Sequence, residues 1–279
     1  MRIIKRGSYF YLKQSFRKNG KVITNEKYLG KEIPKNIEEI KQELKKESQK
    51  VLYAKLKKIK NEFQQEWKKL PDNAKQREKE EIAIAFTYNT NAIEGSTITL
   101  EETREIIIDR TAPNKPLKDI RETESHFKIF LEMLNKHEKI SKNTLLRWHK
   151  AIFGETKQDL AGRYRDFLVR VGPYRAPDWQ NIKDLMKSFF KFLSKAKLNP
   201  VELAARAHYK FEKIHPFGDG NGRIGRLIMN HILWYHGYPM LIIEHVKRRA
   251  YYKALQKDEN GFVNYFLRRY LAVHRKRYA

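Results

Sequence analysis

One short stretch of this chain carries most of the residue types that catalysis requires. Residues 215–226 read His-Pro-Phe-Gly-Asp-Gly-Asn-Gly-Arg-Ile-Gly-Arg, which combines a base, a carboxylate, an amide, two guanidinium groups and four glycines. Glycines let backbone N–H groups converge, and the start of a helix adds the positive end of its dipole, so such a loop binds phosphate. The stretch therefore predicts a phosphate site with a proton-transfer group beside it.

The polar residues of this loop predict a site for a nucleotide. Arg223 and Arg226 are three positions apart and can each hold an outer phosphate in bidentate fashion. Asp219 offers the single carboxylate that a water-rich Mg²⁺ site needs. His215 has an unperturbed pKa of about 6.5, which suits a general base at neutral pH.

Helices on both sides must position the loop. Apolar residues recur at helical spacing before it, and Pro216 predicts that this first helix ends at His215. The apolar period resumes at Ile224, which predicts a second helix. Residues 218–222 then form the loop that leads into the N-terminus of this second helix.

The stretch resembles the signature of the Fic family, HPFx(D/E)GNGRxxR, at every fixed position. The resemblance covers about residues 80–270 and implies an all-α Fic fold, a core of about eight helices with a β-hairpin flap. It also implies an enzyme that uses ATP and Mg²⁺ to transfer AMP to a Ser, Thr or Tyr hydroxyl of a target protein. On this resemblance His215 is the catalytic base and Asp219 binds the metal. The implied nucleotide-binding residues of the loop are Gly220, Asn221, Gly222, Arg223 and Arg226.

A second motif lies at the end of the helix predicted over residues 77–95. Gly95 is a natural C-terminal cap, and Glu94 places a negative charge at the negative end of the helix dipole. This charge favours a compensating cation, and the arginines of the loop are candidates. Thr90 to Gly95 also resembles the inhibitory motif (S/T)xxxE(G/N) of Fic proteins, in the arrangement that places it N-terminal to the catalytic loop. The resemblance implies that Glu94 restrains the enzyme by pairing with Arg226.

Two further resemblances concern the target protein and the adenine base. Residues 162–175 predict a β-hairpin similar to the flap with which Fic proteins hold a target segment by strand addition. A hairpin that only fills a gap between helices is the alternative. Tyr251 and Tyr252 resemble the family segment whose tyrosines flank the adenine, although both are also candidates for the core. The predicted target-docking strand consists of Val169, Arg170, Val171 and Gly172.

The rest of the chain predicts a small appendage and a long helix. Residues 1–34 contain a β-hairpin, because two β-rich stretches flank Asn19-Gly20, a strong turn signal. Its aromatic and basic residues could bind a nucleic acid or another partner, but we expect the aromatic residues to form a core against a helix. Residues 35–76 predict one charged amphipathic helix, and residues 77–279 predict the Fic domain.

Composition narrows the class of protein. The 279 residues are 41% hydrophobic, which is enough to bury a core, and the absence of cysteine excludes disulfides and thiolate chemistry. The nine histidines lack metal-ligand spacing, and no apolar run is long enough to span a membrane. The basic N-terminus lacks the apolar stretch of a signal peptide, so we expect a cytoplasmic protein.

The charge balance leaves the partner open. Lys and Arg number 59 against 33 Asp and Glu, a net charge of +26, which attracts nucleic acids and acidic proteins. The excess is spread through the chain, and a Lys- and Glu-rich composition recurs in proteins from hot environments, so a nucleic acid is not the favoured partner. Two alternatives to AMP transfer stay open: a phosphodiesterase that removes AMP at the same site, and a basic nucleic-acid-binding module. Self-modification and a homo-oligomer also stay open.

Overall fold

The computed structural model describes residues 1–18 and 21–278, without the side chains of residues 16–18, 21, 42, 45, 47 and 48. This part of the chain divides into two units, Met1–Ile59 and Lys60–Tyr278. The boundary lies within one long helix, α1 (Ile37–Lys69). Among the described residues, no helix is both long and apolar enough to cross a bilayer.

The first unit contains a three-stranded antiparallel sheet and the first part of α1. Its strands are β1 (Arg2–Arg6), β2 (Tyr9–Lys18) and β3 (Lys21–Gly30), in the order β1-β2-β3. The predicted hairpin corresponds to β2 and β3, and β1 adds a third strand. The predicted turn at Asn19-Gly20 lies outside the described residues.

The second unit is helical, which confirms the predicted all-α core. Its two-residue strands β4 (Arg170–Val171) and β5 (Tyr174–Arg175) form an antiparallel pair within the predicted flap. A π-helical turn (Glu105–Asp109) follows α3, and short 3₁₀ turns (Trp179–Asn181 and His245–Lys247) precede α6 and α9. The helices are α2 (Asp72–Ile93), α3 (Leu100–Arg104), α4 (Leu117–Asn135), α5 (Lys142–Phe153), α6 (Ile182–Lys195), α7 (Pro200–Ile214), α8 (Asn221–Tyr235), α9 (Arg248–Leu255) and α10 (Glu259–Tyr278).

Helices α7 and α8 form the centre of this unit and flank the glycine-rich loop. Helix α7 begins where the Asn199 side chain accepts a hydrogen bond from the N–H of Val201 at 2.9 Å, with Pro200 at the first helical position. Helix α8 is buried along almost its whole length, and Ile224, Leu227 and Ile228 have no exposed surface. The loop is therefore carried by two helices that are fixed by the core.

Helix α2 ends where the sequence predicts, but it begins at Asp72 and not at residue 77, because the helix predicted over residues 35–76 ends at Lys69. Gly95 has φ = +98°, and its N–H donates to the carbonyl of Ala92 at 3.2 Å. The N–H of Ser96 donates to the carbonyl of Asn91 at 3.1 Å. Because glycine adopts this left-handed conformation without a steric penalty, the helix stops directly after Glu94.

Candidate active site

His215 is held at the end of α7 in a conformation that is costly for a non-glycine residue. Its φ of +51° lies in the left-handed region, at a cost on the order of 1–3 kcal/mol that the surrounding core must offset. Its Nδ1 lies 3.3 Å from the carbonyl oxygen of Glu212. Since a carbonyl oxygen only accepts, Nδ1 carries the hydrogen and Nε2 keeps its lone pair. Burial lowers the pKa of His215, so Nε2 is available as a base at neutral pH.

The loop between α7 and α8 is closed by one amide side chain. The Asn221 Oδ1 accepts from the N–H of Phe217 at 2.9 Å, and its Nδ2 donates to the Phe217 carbonyl at 2.8 Å. Both polar atoms of the amide thus help to shape the loop. Gly220, with φ = +75°, precedes α8 and provides no side-chain cap. The first N–H groups of α8 therefore remain available to an anion.

Arg226 lies in the first turns of α8 and is almost completely buried. Its side chain is 1% exposed. Nε donates to Thr90 Oγ1 at 2.7 Å, and Nη2 donates to the Thr90 carbonyl at 3.1 Å and to Glu94 Oε1 at 2.6 Å. The structure thus contains the predicted pair of Glu94 and Arg226, and Thr90 holds the same guanidinium one helical turn earlier.

The Glu94 carboxylate also lies against the loop itself. A methyl group added to Gly222 would collide with Oε1 of Glu94, so only glycine allows this approach. The carboxylate lies at the start of α8, where the dipole favours negative charge. Glu94 therefore occupies a place that suits a phosphate group.

Arg223 has a different partner from Arg226. It pairs with Glu122 of α4, and each of these two side chains is 8% exposed. Lys157 extends the network, because its Nζ lies 2.8 Å from Glu122 Oε1 and 3.0 Å from Asp219 Oδ2. Burial alone would raise the pKa of Glu122, but the Arg223 and Lys157 cations lower it. Arg223 is committed to Glu122 here, and its contact with an outer phosphate stays a prediction.

Asp219 is the candidate metal ligand of the loop. Its carboxylate is half-exposed and lines a cavity of about 310 Å³ together with Glu94, Glu122 and Arg223. No group of three acidic or histidine residues that could hold a metal ion occurs in the described part of the chain. In nucleotide sites Mg²⁺ is bound by one or two carboxylates, waters and substrate phosphates. Asp219 therefore fits a metal that arrives with a nucleotide, and Lys157 would have to share this carboxylate.

Two buried side chains tie the first residues of the predicted flap to the catalytic loop. Arg165 is 4% exposed, and its guanidinium donates to the carbonyls of His215 at 2.8 Å, Phe167 at 2.7 Å and Pro177 at 2.6 Å. His149 accepts from the N–H of Gly162 at 2.9 Å and donates to the Asp219 carbonyl at 3.0 Å. Burial lowers the pKa of His149 to about 4, so this ring is neutral.

The flap presents only a short strand to solvent. Of the four residues predicted for target docking, Arg170 and Val171 form β4 and are exposed. The Val169 carbonyl accepts from the N–H of Ala176 at 3.1 Å, and Gly172 turns the chain with φ = +55°. A docking role for the four residues stays a prediction.

The two tyrosines predicted near the adenine have different surroundings. Tyr251 is 1% exposed, and its hydroxyl lies 2.8 Å from His208 Nε2. Tyr252 is 39% exposed, and its hydroxyl donates to the Ile93 carbonyl at 3.2 Å. Of the two, only Tyr252 offers ring surface to a ligand.

Sequence reasoning did not select several residues that the structure brings to this site. Glu122, His149 and Lys157 lie far from the loop in sequence, and no local pattern distinguishes them from other polar residues. Arg165 lies within the stretch predicted as the flap, but no local pattern indicates its bond to the His215 carbonyl. Glu212 could have been found, because it precedes His215 by three positions on a helix. Burial raises the pKa of Glu212 to about 7, and its Oε2 lies 4.0 Å from His215 Nδ1.

Comparison with known proteins gives consistent matches to this part of the chain. Residues 139–233 match the model of the Fic/DOC family. A protein adenylyltransferase Fic of Nematostella vectensis is 35% identical over 196 residues, which cover 67% of this chain and 46% of that protein. The chain thus spans about half the length of this curated relative.

Solved structures share the fold. Fic-1 from C. elegans superimposes with a TM-score of 0.70 at 28% sequence identity. The superposition covers 84% of this chain and 72% of the Fic-1 chain. A Fic family protein from Desulfovibrio desulfuricans superimposes with a TM-score of 0.67 at 28% sequence identity. This superposition covers 81% of our chain and 72% of the Desulfovibrio chain. Both likenesses extend well beyond the catalytic loop.

Arg165 gives a test of how the catalytic loop is held. Lysine keeps the charge but cannot reach three carbonyls at once, so Arg165→Lys should lose about 3 kcal/mol of stability. For a unit of this size the melting temperature should fall by roughly 6–12 °C, measured by calorimetry. Arg163→Lys is the matched control, because Arg163 is 56% exposed, and it should melt like the wild type. Equal melting temperatures for both variants would show that Arg165 does not fix the loop.

Proposed function

Because this chain contains a Fic domain and belongs to the Fic/DOC family, we propose that it transfers AMP from ATP to a hydroxyl group of a target protein. Relatives named protein adenylyltransferase support this activity. The observation that carries the proposal is the convergence on one loop of the free Nε2 of His215, the uncapped start of α8 and the guanidinium of Arg226.

In this proposal the phosphates of ATP bind to the loop. The pyrophosphate portion lies on the N–H groups at Gly220, Asn221 and Gly222, where the helix dipole favours negative charge. The Gly220 N–H donates to Asp219 Oδ1 at 2.5 Å in this structure, so it would have to leave that carboxylate to bind a phosphate. The γ-phosphate takes the place of the Glu94 carboxylate on Arg226. Asn221 acts by holding the loop in shape, since both of its polar atoms bond Phe217.

Transfer is then an in-line displacement at the α-phosphorus. The target hydroxyl oxygen forms the new P–O bond, the bond to the β-phosphate oxygen breaks, and pyrophosphate leaves. His215 Nε2 takes the hydroxyl proton. The N–H groups of the loop stabilise the charge that develops on the α-phosphoryl oxygens. Asp219 would hold Mg²⁺, and the bound ion would neutralise part of the phosphate charge.

The remaining parts of the chain have supporting roles in this proposal. Residues 77–279 form the Fic domain, with the inhibitory helix at 77–95, the flap at 162–175 and the catalytic loop at 215–226. The flap holds an extended target segment by strand addition at Arg170 and Val171, which needs no specific target sequence. Tyr252 offers its exposed ring to the adenine.

ATP labelled at the α-phosphate tests the activity directly. We expect label on protein, either on added target proteins or on the chain itself, and none from ATP labelled at the γ-phosphate. Burial lowers the pKa of His215 and the base must be neutral, so transfer should persist at pH 6.5 and be lost only as the pH falls further. His215→Ala should abolish transfer while ATP binding stays within a few-fold.

Two results would replace this proposal. Release of AMP from a protein that already carries it, without transfer from ATP, would establish the phosphodiesterase. If no variant transfers or removes AMP, the chain is a module that only docks phosphate. Transfer at the wild-type rate by His215→Ala would remove His215 from the mechanism.

Glu94 gives a second test. If its carboxylate holds the guanidinium that the γ-phosphate requires, Glu94→Gly should raise the rate of transfer by at least roughly tenfold, equivalent to about 1.4 kcal/mol of restored phosphate interaction. The double variant with Arg226→Ala should lose this gain. Initial rates of label incorporation at fixed ATP measure both effects.

A matched control shows whether the rise in transfer rate is specific to Glu94 or follows from the loss of any paired glutamate. Glu138 is 35% exposed and pairs with Arg147, much as Glu94 is 32% exposed and pairs with Arg226. Glu138→Gly should leave the transfer rate unchanged. If Glu94→Gly also leaves it unchanged while His215→Ala abolishes it, the enzyme assignment survives and the inhibitory role of Glu94 does not.

A further inference from the structure

The N-terminal sheet has one covered face and one open face. Opposite residues of an antiparallel pair point to the same side, and successive residues alternate. Leu12 and Leu29 lie on one side with 0% and 7% exposure, and Lys27 of the same side bonds Glu43 of α1 at 2.7 Å. Helix α1 therefore contacts the sheet on this side, which we call the inner face. We call the other side the outer face.

The outer face carries three contiguous tyrosine rings. The Tyr28 ring centroid lies 5.7 Å from that of Tyr9 and 5.5 Å from that of Tyr11. Tyr28 is 56% exposed and Tyr9 is 39% exposed, so the expectation that the aromatic residues of this region form a core is wrong for these two. Clustered exposed rings that no core requires are typical of a contact surface.

Cations surround these rings. Residues 2–30 contain eight Lys and Arg residues against a single acidic residue, Glu26, which gives this segment a net charge of +7. On the outer face Glu26 lies 2.9 Å from Arg6 and 3.2 Å from Lys13, so one carboxylate is shared by two cations. The Arg6 guanidinium also lies 5.4 Å from the centre of the Tyr11 ring, and Arg2 is exposed opposite Lys13.

Rings between cations match the chemistry of a nucleic-acid strand. Bases stack on aromatic side chains, and phosphates pair with Lys and Arg. A duplex hides the faces of its bases, so exposed rings favour a single strand. An acidic protein would pair with the same cations but would have no need of three adjacent rings.

We propose that the outer face binds single-stranded nucleic acid, with bases stacked on Tyr9 and Tyr28 and phosphates paired with Arg2, Arg6 and Lys13. This binding is separate from AMP transfer. The nucleic acid would be a ligand of the basic N-terminal region and would take no part in the reaction at the catalytic loop.

The test uses the full-length chain and fluorescent oligonucleotides of about 12 residues at low salt. RNA and DNA strands of one sequence, a duplex of that sequence and polyglutamate are compared by fluorescence anisotropy. The single strands should bind most tightly, and Tyr28→Ala should weaken them about tenfold, because base stacking on a tyrosine is lost. Tyr28→Phe keeps a ring and should bind like the wild type.

Further experiments test the role of the cations in binding and the place where the strand binds. Arg2→Ala should weaken binding and reduce its dependence on salt, whereas Lys187→Ala, which removes an exposed lysine of α6, should do neither. In the unaltered protein, photo-crosslinking to a 4-thiouridine strand should modify Tyr9, Tyr11 or Tyr28. Absence of single-strand binding overturns the proposal. So does equal affinity for duplex or polyglutamate, binding that Tyr28→Ala leaves unchanged, or crosslinks confined to residues 60–278.

Discussion

A buried guanidinium is the constraint on which this site depends. Arg226 is 1% exposed, and a cation removed from water costs several kcal/mol unless charged and polar partners compensate. Thr90 supplies two oxygen atoms, the Tyr251 hydroxyl lies at 3.5 Å, and Glu94 supplies the carboxylate. Of these partners Glu94 carries the negative charge, which is also what a phosphate would bring. Either the Glu94 carboxylate or a phosphate group can therefore neutralise Arg226, and each excludes the other.

The helices make this exchange a property of the fold. Helix α2 directs the negative end of its dipole, with Glu94 and the Gly95 cap, towards the positive start of α8. Glu94 is unfavourable at the end of its own helix, and both the start of α8 and Arg226 offset this. Because Gly222 has no side chain, the carboxylate reaches the loop. The neutral His215 lies at the other end of the same loop, so under the proposed function the base is ready while the carboxylate occupies the phosphate position.

Local sequence patterns predicted the parts of this arrangement that depend on neighbouring residues. The end of α7 at His215, the cap at Gly95 and the pairing of Glu94 with Arg226 all follow from spacing, backbone geometry or a short motif. The ion pair of Arg223 with Glu122 joins residues 101 positions apart, and the three bonds of Arg165 depend on where the flap folds. Periodicity shows which side of a helix is buried, but it does not show which distant polar group will meet a buried charge. The sequence also does not distinguish the exposed tyrosines of the sheet from core residues, since β-rich aromatic stretches suit a core and an open face equally.

The most direct test of the exchange is the ratio of ADP to ATP dissociation constants, measured by calorimetry in the wild type and in Glu94→Gly. The γ-phosphate can contact Arg226 only when the carboxylate is absent. The preference for ATP over ADP should therefore be small in the wild type, rise about tenfold in Glu94→Gly, and disappear again when Arg226→Ala is added. The same ratio in the wild type and in Glu94→Gly would contradict the account, because Glu94 and the γ-phosphate would then not compete for one guanidinium.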